Sequence, residues 1–351
     1  MDMNERKLRI LEAIIQDYIQ TGEPVGSRTI SKKYDLGISS ATIRNEMADL
    51  EDLGFIMQPH TSAGRIPSDK GYRLYVDGMM QRTNISPDVA KVIGNMIQQK
   101  ITRIDDLVEE TAKLIAMLTN CATIASTPPI SQVRIKHLQL VPVDEQSVVC
   151  VIVTDTNSVK NQMINTPKAL DANICMALTN ILNESLKGSA LGQISLDKIR
   201  LSIEDKMKEY GDIASSVLDA IANALKEKDM PNIFIRGANN ILDFQEFNDK
   251  EKAREMFKLL EEKPYLAKIL DHNPPNEITI RIGEENTLTP MKDCSIVTTS
   301  YRIGDSTIGN IGIIGPTRMN YSEVVSVLEY VSHHITNMLK GINNQEGNNK
   351  P

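Results

Sequence analysis

The chain has 351 residues, with 39 Lys and Arg against 46 Asp and Glu, a net charge of −7, 4% aromatic residues and no Trp. That length is enough for two or three domains, and the acidic balance excludes a protein that coats nucleic acid over its whole surface while leaving room for a local site. No apolar run approaches the roughly 20 residues of a membrane span, and the start, MDMNERKLRI, lacks the basic-then-apolar layout of a signal peptide. Cys121, Cys150, Cys175 and Cys294 are widely spaced and form no CxxC. That spacing suggests neither a disulfide framework nor a zinc knuckle and points to reduced thiols in a cytoplasmic protein.

Residues 1–82 read as one module. Leu8, Leu11, Ile14, Ile15 and Ile19 recur at helical spacing between Glu5 and Gln20, and TGEPVG ends that helix. Ser27 is placed to cap a short second helix, SRTISKKY, since a hydroxyl there can accept an orphan N–H of the first turn. DLGI makes a tight turn, Ser39 or Ser40 caps a third helix, and Gly54 ends it. FIMQP reads as a short strand, HTSAGR as a polar loop and IP as the start of the return, with Ser68 capping a last helix through DKGYRLYVDGMM. Three helices followed by a two-stranded ribbon, with Gly37 in the turn between the second and third, is the winged form of the helix-turn-helix.

QRTNISPD reads as a linker. The spacing of Val89, Ile93, Ile97, Ile101, Ile104, Val108, Ile115 and Leu118 predicts one long helix, stopped by STPP. Strands are predicted at VRIKHLQLVPVD, SVVCVIVTD and VKNQMIN, and the unbroken apolar run Val148 to Val153 suits a strand covered on both faces. Residues 170–272 are mainly helical, in LDANICMALTNILNESL, IASSVLDAIANALKE and KEKAREMFKLLEE, with strand candidates at KIRLSI and NIFIRG. Strands return in EITIRIG, SIVTTSYRI and STIGNIGIIG, with GDST as a hairpin turn. A closing helix is predicted from Ser322 to Leu339, and the polar tail, 341–351, is expected to be disordered. The order predicts an α+β sheet domain, 88–169 and 273–340, interrupted by an insertion at 170–272.

The third helix carries the functional signal. Ile43, Met47, Leu50 and Leu53 face inward and fix its rotation, so Ala41, Asn45 and Ala48 face outward, flanked by Arg44 and Thr42. Small residues let a backbone sink into a major groove, Asn can pair both edges of adenine, and Arg both acceptors of guanine. Ser39, Ser40 and the first-turn N–H groups favour a phosphate at the helix start. Glu46, Asp49, Glu51 and Asp52 come later and would repel phosphates unless the N-terminal end alone enters the groove, as this motif docks. Ser27, Arg28, Thr29, Lys32 and Lys33 lie on the second helix, which crosses the DNA backbone; His60, Thr61, Ser62 and Arg65 sit at the tip of the ribbon, and Lys70 and Arg73 follow. Arg44 and Asn45 are thus expected to read bases, and Lys33 and Arg65 to bind phosphates. The alternative is a small helical domain with a solvated face. Two caps, a turn glycine, a small outward face and a cationic wing in order argue against it.

The segment PVGSRTISKKYDLGISSATIRNEMADLEDLGFIMQPHTSAGRIPSDKGYRLYVD closely resembles the N-terminal signature of the HrcA family of bacterial heat-inducible transcription repressors. A looser similarity continues through FIRGANNILDFQEF and SIVTTSYRIGDSTIGNIGIIGPTRMNYSEVVSVLEYVS. The resemblance implies a winged-helix domain at 1–82, a GAF-like domain in two parts, 88–169 and 273–340, and a dimerising segment, 170–272, inserted into it. It also implies a homodimer on an inverted-repeat operator upstream of chaperone operons. The chaperonin GroEL would keep the repressor active until heat shock occupies it with misfolded proteins. Such a heat response needs a native state near its stability limit.

The remaining signals are weaker. GNIGIIG is neither GxGxxG nor a P-loop and reads as strand glycines; His333 and His334 have no metal-ligating partner at i+4; and no nucleophile motif occurs. No enzyme, cofactor or metal is therefore expected. Ile213, Val217, Ile221 and Leu225, with Ala220 and Ala224 beside them, form a stripe that suits either the domain's own core or a dimer-facing helix. The main rival function is a small-molecule-responsive repressor with the GAF-like domain as ligand sensor. A ligand that shifts operator affinity while the chaperonin has no effect would favour it.

Overall fold

The computed structural model describes residues 3–60, 63–97, 103–129, 133–155, 158–166, 169–190, 231–270, 277–303 and 307–347. The chain begins with α1 (Glu5–Thr21), α2 (Ser27–Lys33), α3 (Ser40–Asp52), the ribbon strands β1 (Ile56–Met57) and β2 (Ile66–Pro67), and α4 (Asp69–Gly78). Asn4 starts α1 by accepting the Lys7 N–H at 2.9 Å, and Gly22 ends it in a left-handed conformation at φ 68°. Ile10, Leu11, Ile14 and Ile15 are fully buried against Ile30, Ile43 and Leu50, so the apolar stripes of the three helices meet in one core. The backbones of Val25 and Arg65 exchange two hydrogen bonds, at 2.8 and 2.9 Å, tying the ribbon to the start of α2. Gly64 permits this approach, since a Cβ there would lie 2.6 Å from the Val25 carbonyl.

The Ser27 cap is corrected. Gly26 occupies the extended cap position at φ −96°, ψ 152°, and Ser27 is already helical. Its hydroxyl instead meets that of Ser40 at 3.3 Å, joining the starts of α2 and α3. At the other two sites the caps fall as expected, on Ser39 and Ser68.

Next come α5 (Pro87–Ile97), α6 (Ile104–Thr119), β3 (Ala122–Ser126), β4 (Ile135–Asp144), β5 (Ser147–Thr154), β6 (Val159–Asn165), α7 (Ala172–Leu186) and β7 (Ile233–Arg236). They are followed by α8 (Lys250–Glu261), α9 (Lys263–Leu270), β8 (Thr279–Ile282), β9 (Cys294–Ile303), β10 (Thr307–Pro316) and α10 (Tyr321–Gly347). The whole is a mixed α+β fold. A five-stranded antiparallel sheet runs β7-β3-β10-β9-β8. Strand alternation gives it two buried faces. Val297, Tyr301, Ile311 and Ile313 meet α5, α6 and α10 in a core continuous with the N-terminal module, and Ile124, Ile296 and Ile314 meet α8 and α9. β4, β5 and β6 form a separate sheet under α7, with a core of Leu138, Leu140, Val148, Cys150, Ile152, Leu178 and Leu182. Thr179 and Asn183 of α7 accept the Leu140 and Leu138 N–H groups at 3.0 and 2.9 Å, sealing the edge of β4.

Several expectations change. The long helix is two helices, because Arg103 is extended (φ −113°, ψ 138°) and breaks the run. Asn120, at φ 50°, ends the second helix before STPP is reached, and β3 follows, a strand the pattern did not show. Val148 to Val153 is covered on one face, with Val149, Val151 and Val153 only half-buried. β4 to β6 share no ladder with β3, β8, β9 and β10, whereas β7, α8 and α9, expected in the insertion, pack on the five-stranded sheet. The closing helix continues to Gly347, past Leu339 and into the expected tail. KIRLSI, the GDST turn and the Ile213 to Leu225 stripe fall on or across residues outside those described.

Candidate nucleic-acid interface

Ser39 caps α3: its Oγ accepts the Thr42 N–H at 3.1 Å and lies 2.9 Å from the Thr42 hydroxyl. Thr42 is therefore spent on the cap and half-buried. Ala41, Arg44, Asn45 and Ala48 are all exposed, at the i, i+3, i+4, i+7 spacing that makes one stripe. On α2, Arg28, Thr29 and Lys32 are exposed, as is His60 at the ribbon. Arg28, Lys32, Arg44 and Asn45 have no side-chain hydrogen bond or ion pair with another described residue. Thr61 and Ser62 lie outside the described residues.

Four other cations are not free. Lys33 Nζ donates to Asp17 Oδ1 at 2.6 Å and Gln20 Oε1 at 3.1 Å, and the hydrogen bond to Asp17 raises the Lys33 pKa above its usual value. Arg65 approaches Glu51 at 2.8 Å through Nε and 2.7 Å through a terminal nitrogen. Lys70 donates to the Leu53 carbonyl at 2.9 Å and lies 4.5 Å above the Phe55 ring. Arg73 reaches the five-stranded sheet at β8. It donates to Glu285 at 2.9 and 2.5 Å, to the Ile280 carbonyl at 2.7 Å and to Asp77 at 3.1 Å. Each of these four, expected at the DNA surface, has an acceptor inside the protein in the DNA-free chain.

The acids of α3 also find their reason. Lys7 reaches Glu46 at 2.9 Å and Asp49 at 3.0 Å, and the hydrogen bond to Glu46 is the main cause of its raised pKa. Arg6 adds a contact to Glu46 at 3.4 Å. Sequence reasoning missed Lys7, although it sits three residues before Ile10 and seven before Ile14, on the inward stripe of α1.

The rear of the module is fixed to the sheet body. Asp69 Oδ2 accepts the Glu284 N–H at 2.9 Å, the Tyr72 and Tyr321 rings lie 5.8 Å apart, and Arg82 meets Glu329 at 3.0 and 3.1 Å. Arg318 donates to Glu246 at 2.6 Å and lies 5.7 Å from the Phe244 ring, beside Gly22. The α3 stripe takes no part in these contacts and stays exposed.

Elsewhere the chemistry is quiet. His333 Nδ1 lies 3.0 Å from the Glu329 carbonyl, and His334 stacks on Tyr330 at 6.0 Å. All four cysteines are buried and unbridged, and burial pushes the Cys121 and Cys150 thiols up to about 12. Among the described residues no three His, Cys, Asp or Glu side chains could hold a metal ion, and no helix is long and apolar enough to cross a membrane.

Comparison with known proteins gives the class, a transcriptional repressor. Residues 105–325 match the family model described as the HrcA protein C-terminal domain. The heat-inducible transcription repressor HrcA of Acetivibrio thermocellus is 42% identical over 333 residues, covering 94% of this chain and 95% of that protein. The repressor of the same name from Lachnoclostridium phytofermentans is 44% identical over 351 residues, covering 98% and 100%. A crystal structure of a hypothetical protein, 25% identical, superposes with a TM-score of 0.65 over 97% of this chain and 99% of that one. The chain belongs to the HrcA family of heat-inducible transcription repressors.

Proposed function

We propose that the chain is a homodimeric repressor in the cytoplasm, whose N-terminal module is a winged helix-turn-helix that places the amino end of α3 in the major groove. The observation that carries this reading is the stripe of Ala41, Arg44, Asn45 and Ala48, exposed and unpaired beside Arg28 and Lys32. Arg44 and Asn45 then read bases, while Arg28, Thr29, Lys32, Ser39 and Ser40 hold phosphates. One such module contacts too few groups for tight and selective binding, so two are joined on an inverted repeat, each copy taking one half-site.

The five-stranded sheet with α5, α6, α8, α9 and α10 is the GAF-like body in this reading. The inserted segment runs between β3 and β7 and carries β4 to β6 and α7; its dimerising role follows from family resemblance. Operons for chaperones as targets, and the chaperonin GroEL as the factor that maintains active repressor, follow from the same resemblance. The core shared by the module and the body supports loss of DNA binding on warming, since the two cannot melt independently without opening it.

A gel-shift series on an inverted-repeat duplex tests this. Binding is expected before warming, lost after it, and restored by chaperonin with nucleotide. Binding that survives warming unaided counts against the heat mechanism, and absence of binding to any inverted repeat counts against the whole reading.

A further inference from the structure

β8 stops short along β9. Their pairing runs from Ile282 opposite Ser295 to Thr279 opposite Thr298, so among the described residues Thr299 to Arg302 have no strand on that side. A cavity of about 570 Å³ lies along this open edge, between the residues leading into β8 and the flank of α10. That is the size of a small-molecule site. Among the described residues Ile278 is the one apolar residue in its lining, which favours a polar occupant.

The charges in the cleft are unevenly matched. Arg82 is neutralised by Glu329 at 3.0 Å. Arg302 has no carboxylate partner among the described residues, and its Nε is buried without a hydrogen-bond acceptor. Leaving a cationic donor buried and unsatisfied is unfavourable. A carboxylate or phosphate in the cleft would give the Arg302 guanidinium the counter-charge it lacks, and a guanidinium suits both through paired hydrogen bonds.

The helix side of the cleft offers acceptors. Ser332 Oγ donates to the Glu329 carbonyl and Thr336 Oγ1 donates to the Ser332 carbonyl while accepting the Arg302 backbone N–H at 3.3 Å, so each hydroxyl oxygen keeps a lone pair that can accept. Glu277 adds an exposed carboxylate without an ion pair among the described residues. These acceptors ask for donors on the ligand. We propose that the cleft binds a small hydroxylated oxyanion, a sugar phosphate or a hydroxy acid, with Arg302 taking its negative charge and Glu277, Ser332 and Thr336 its hydroxyl groups.

The proposal is independent of the DNA reading and is tested on the full chain without DNA. Glucose 6-phosphate and gluconate serve as phosphate and carboxylate probes, with glucose and sodium chloride at matched ionic strength as controls. At least one probe is expected to raise the thermal midpoint saturably, by about 2 °C or more, and the controls are not. Whichever probe acts identifies the head group. Arg302→Gln is expected to weaken that probe at least tenfold. His333→Asp, at an exposed position on the cleft wall, adds a repelling charge and should weaken it several-fold even if Arg302→Gln does not fold. Midpoints that follow ionic strength alone overturn the proposal, as does unchanged affinity in either folded variant.

Discussion

The two sides of the N-terminal module use the same residue types in opposite ways. On the forward side Arg28, Lys32 and Arg44 stand exposed with no carboxylate partner among the described residues, while at the rear Arg73 is held by Glu285, Asp77 and a backbone carbonyl. Between them, Lys7 neutralises Glu46 and Asp49, and Arg65 neutralises Glu51. What separates an available cation from a structural one here is whether the fold brings a carboxylate within reach. A chain of net charge −7 can thus present a local positive surface, because acids near it, Glu46, Asp49 and Glu51, are matched by Lys7 and Arg65.

Gly71 is where both sides can be broken together. It opens α4, and a Cβ there would lie 2.2 Å from the Phe55 carbonyl oxygen, a backbone atom that cannot swing aside. Gly71→Ala should cost about 1–3 kcal/mol through overpacking, lowering the thermal midpoint and weakening every duplex in gel shift. An unchanged midpoint would mean that the ribbon and α4 are not packed as described. Arg44→Ala should separate the sides. Operator discrimination is expected to fall by roughly 1–3 kcal/mol at one or two base positions, with the midpoint unmoved. Intact sequence preference in that variant would remove α3 from the groove.

The forward side was legible in the sequence because its signals are local. Ser39, Gly54 and the 3–4 spacing of Ile43, Met47 and Leu50 each act within one turn of chain. The rear was not, since Arg73 and Glu285 are 212 residues apart and nothing near Arg73 announces its partner. β3 escaped because all five of its residues are buried, which erases the alternation that marks a half-covered strand. In β5 the error ran the other way: Val149, Val151 and Val153 are apolar yet only half-buried, so composition overstated the cover. Sheet membership of β4 to β6 depends on pairing across the fold, which hydrophobic pattern does not encode.

The rear contact should also respond to acid. Burial alone would raise the Glu285 carboxyl, but hydrogen bonds from Arg73 and the Ile282 N–H outweigh it and hold the group below its ordinary value. A carboxyl whose folded pKa is depressed stabilises the folded state fully above its unfolded value, about 4.3, and loses that contribution as pH falls through the lower folded value. Pepsin cleavage between residues 79 and 86 should therefore accelerate more steeply on acidification in the parent protein than in Glu285→Gln. Asp69 and Asp77 also face this joint and the variant leaves both in place, so equal pH profiles would show that Glu285 does not carry the response.

Lys32 and Lys33 give the finest form of the contrast, adjacent residues with opposite surroundings. Lys32 is exposed without a partner, while Lys33 holds Asp17, whose side chain is only 6% exposed. Lys32→Ala should weaken specific and random duplexes alike and reduce the slope of log affinity against log salt by about 0.9, leaving the thermal midpoint alone. Lys33→Ala should do the reverse, lowering the midpoint by stranding Asp17 while the salt slope stays put. If Lys33→Ala flattens the slope as much as Lys32→Ala does, Lys33 must leave Asp17 for a phosphate when DNA arrives. The forward surface would then be assembled on binding and not preformed, and the line between paired and available cations would have to be redrawn at α2.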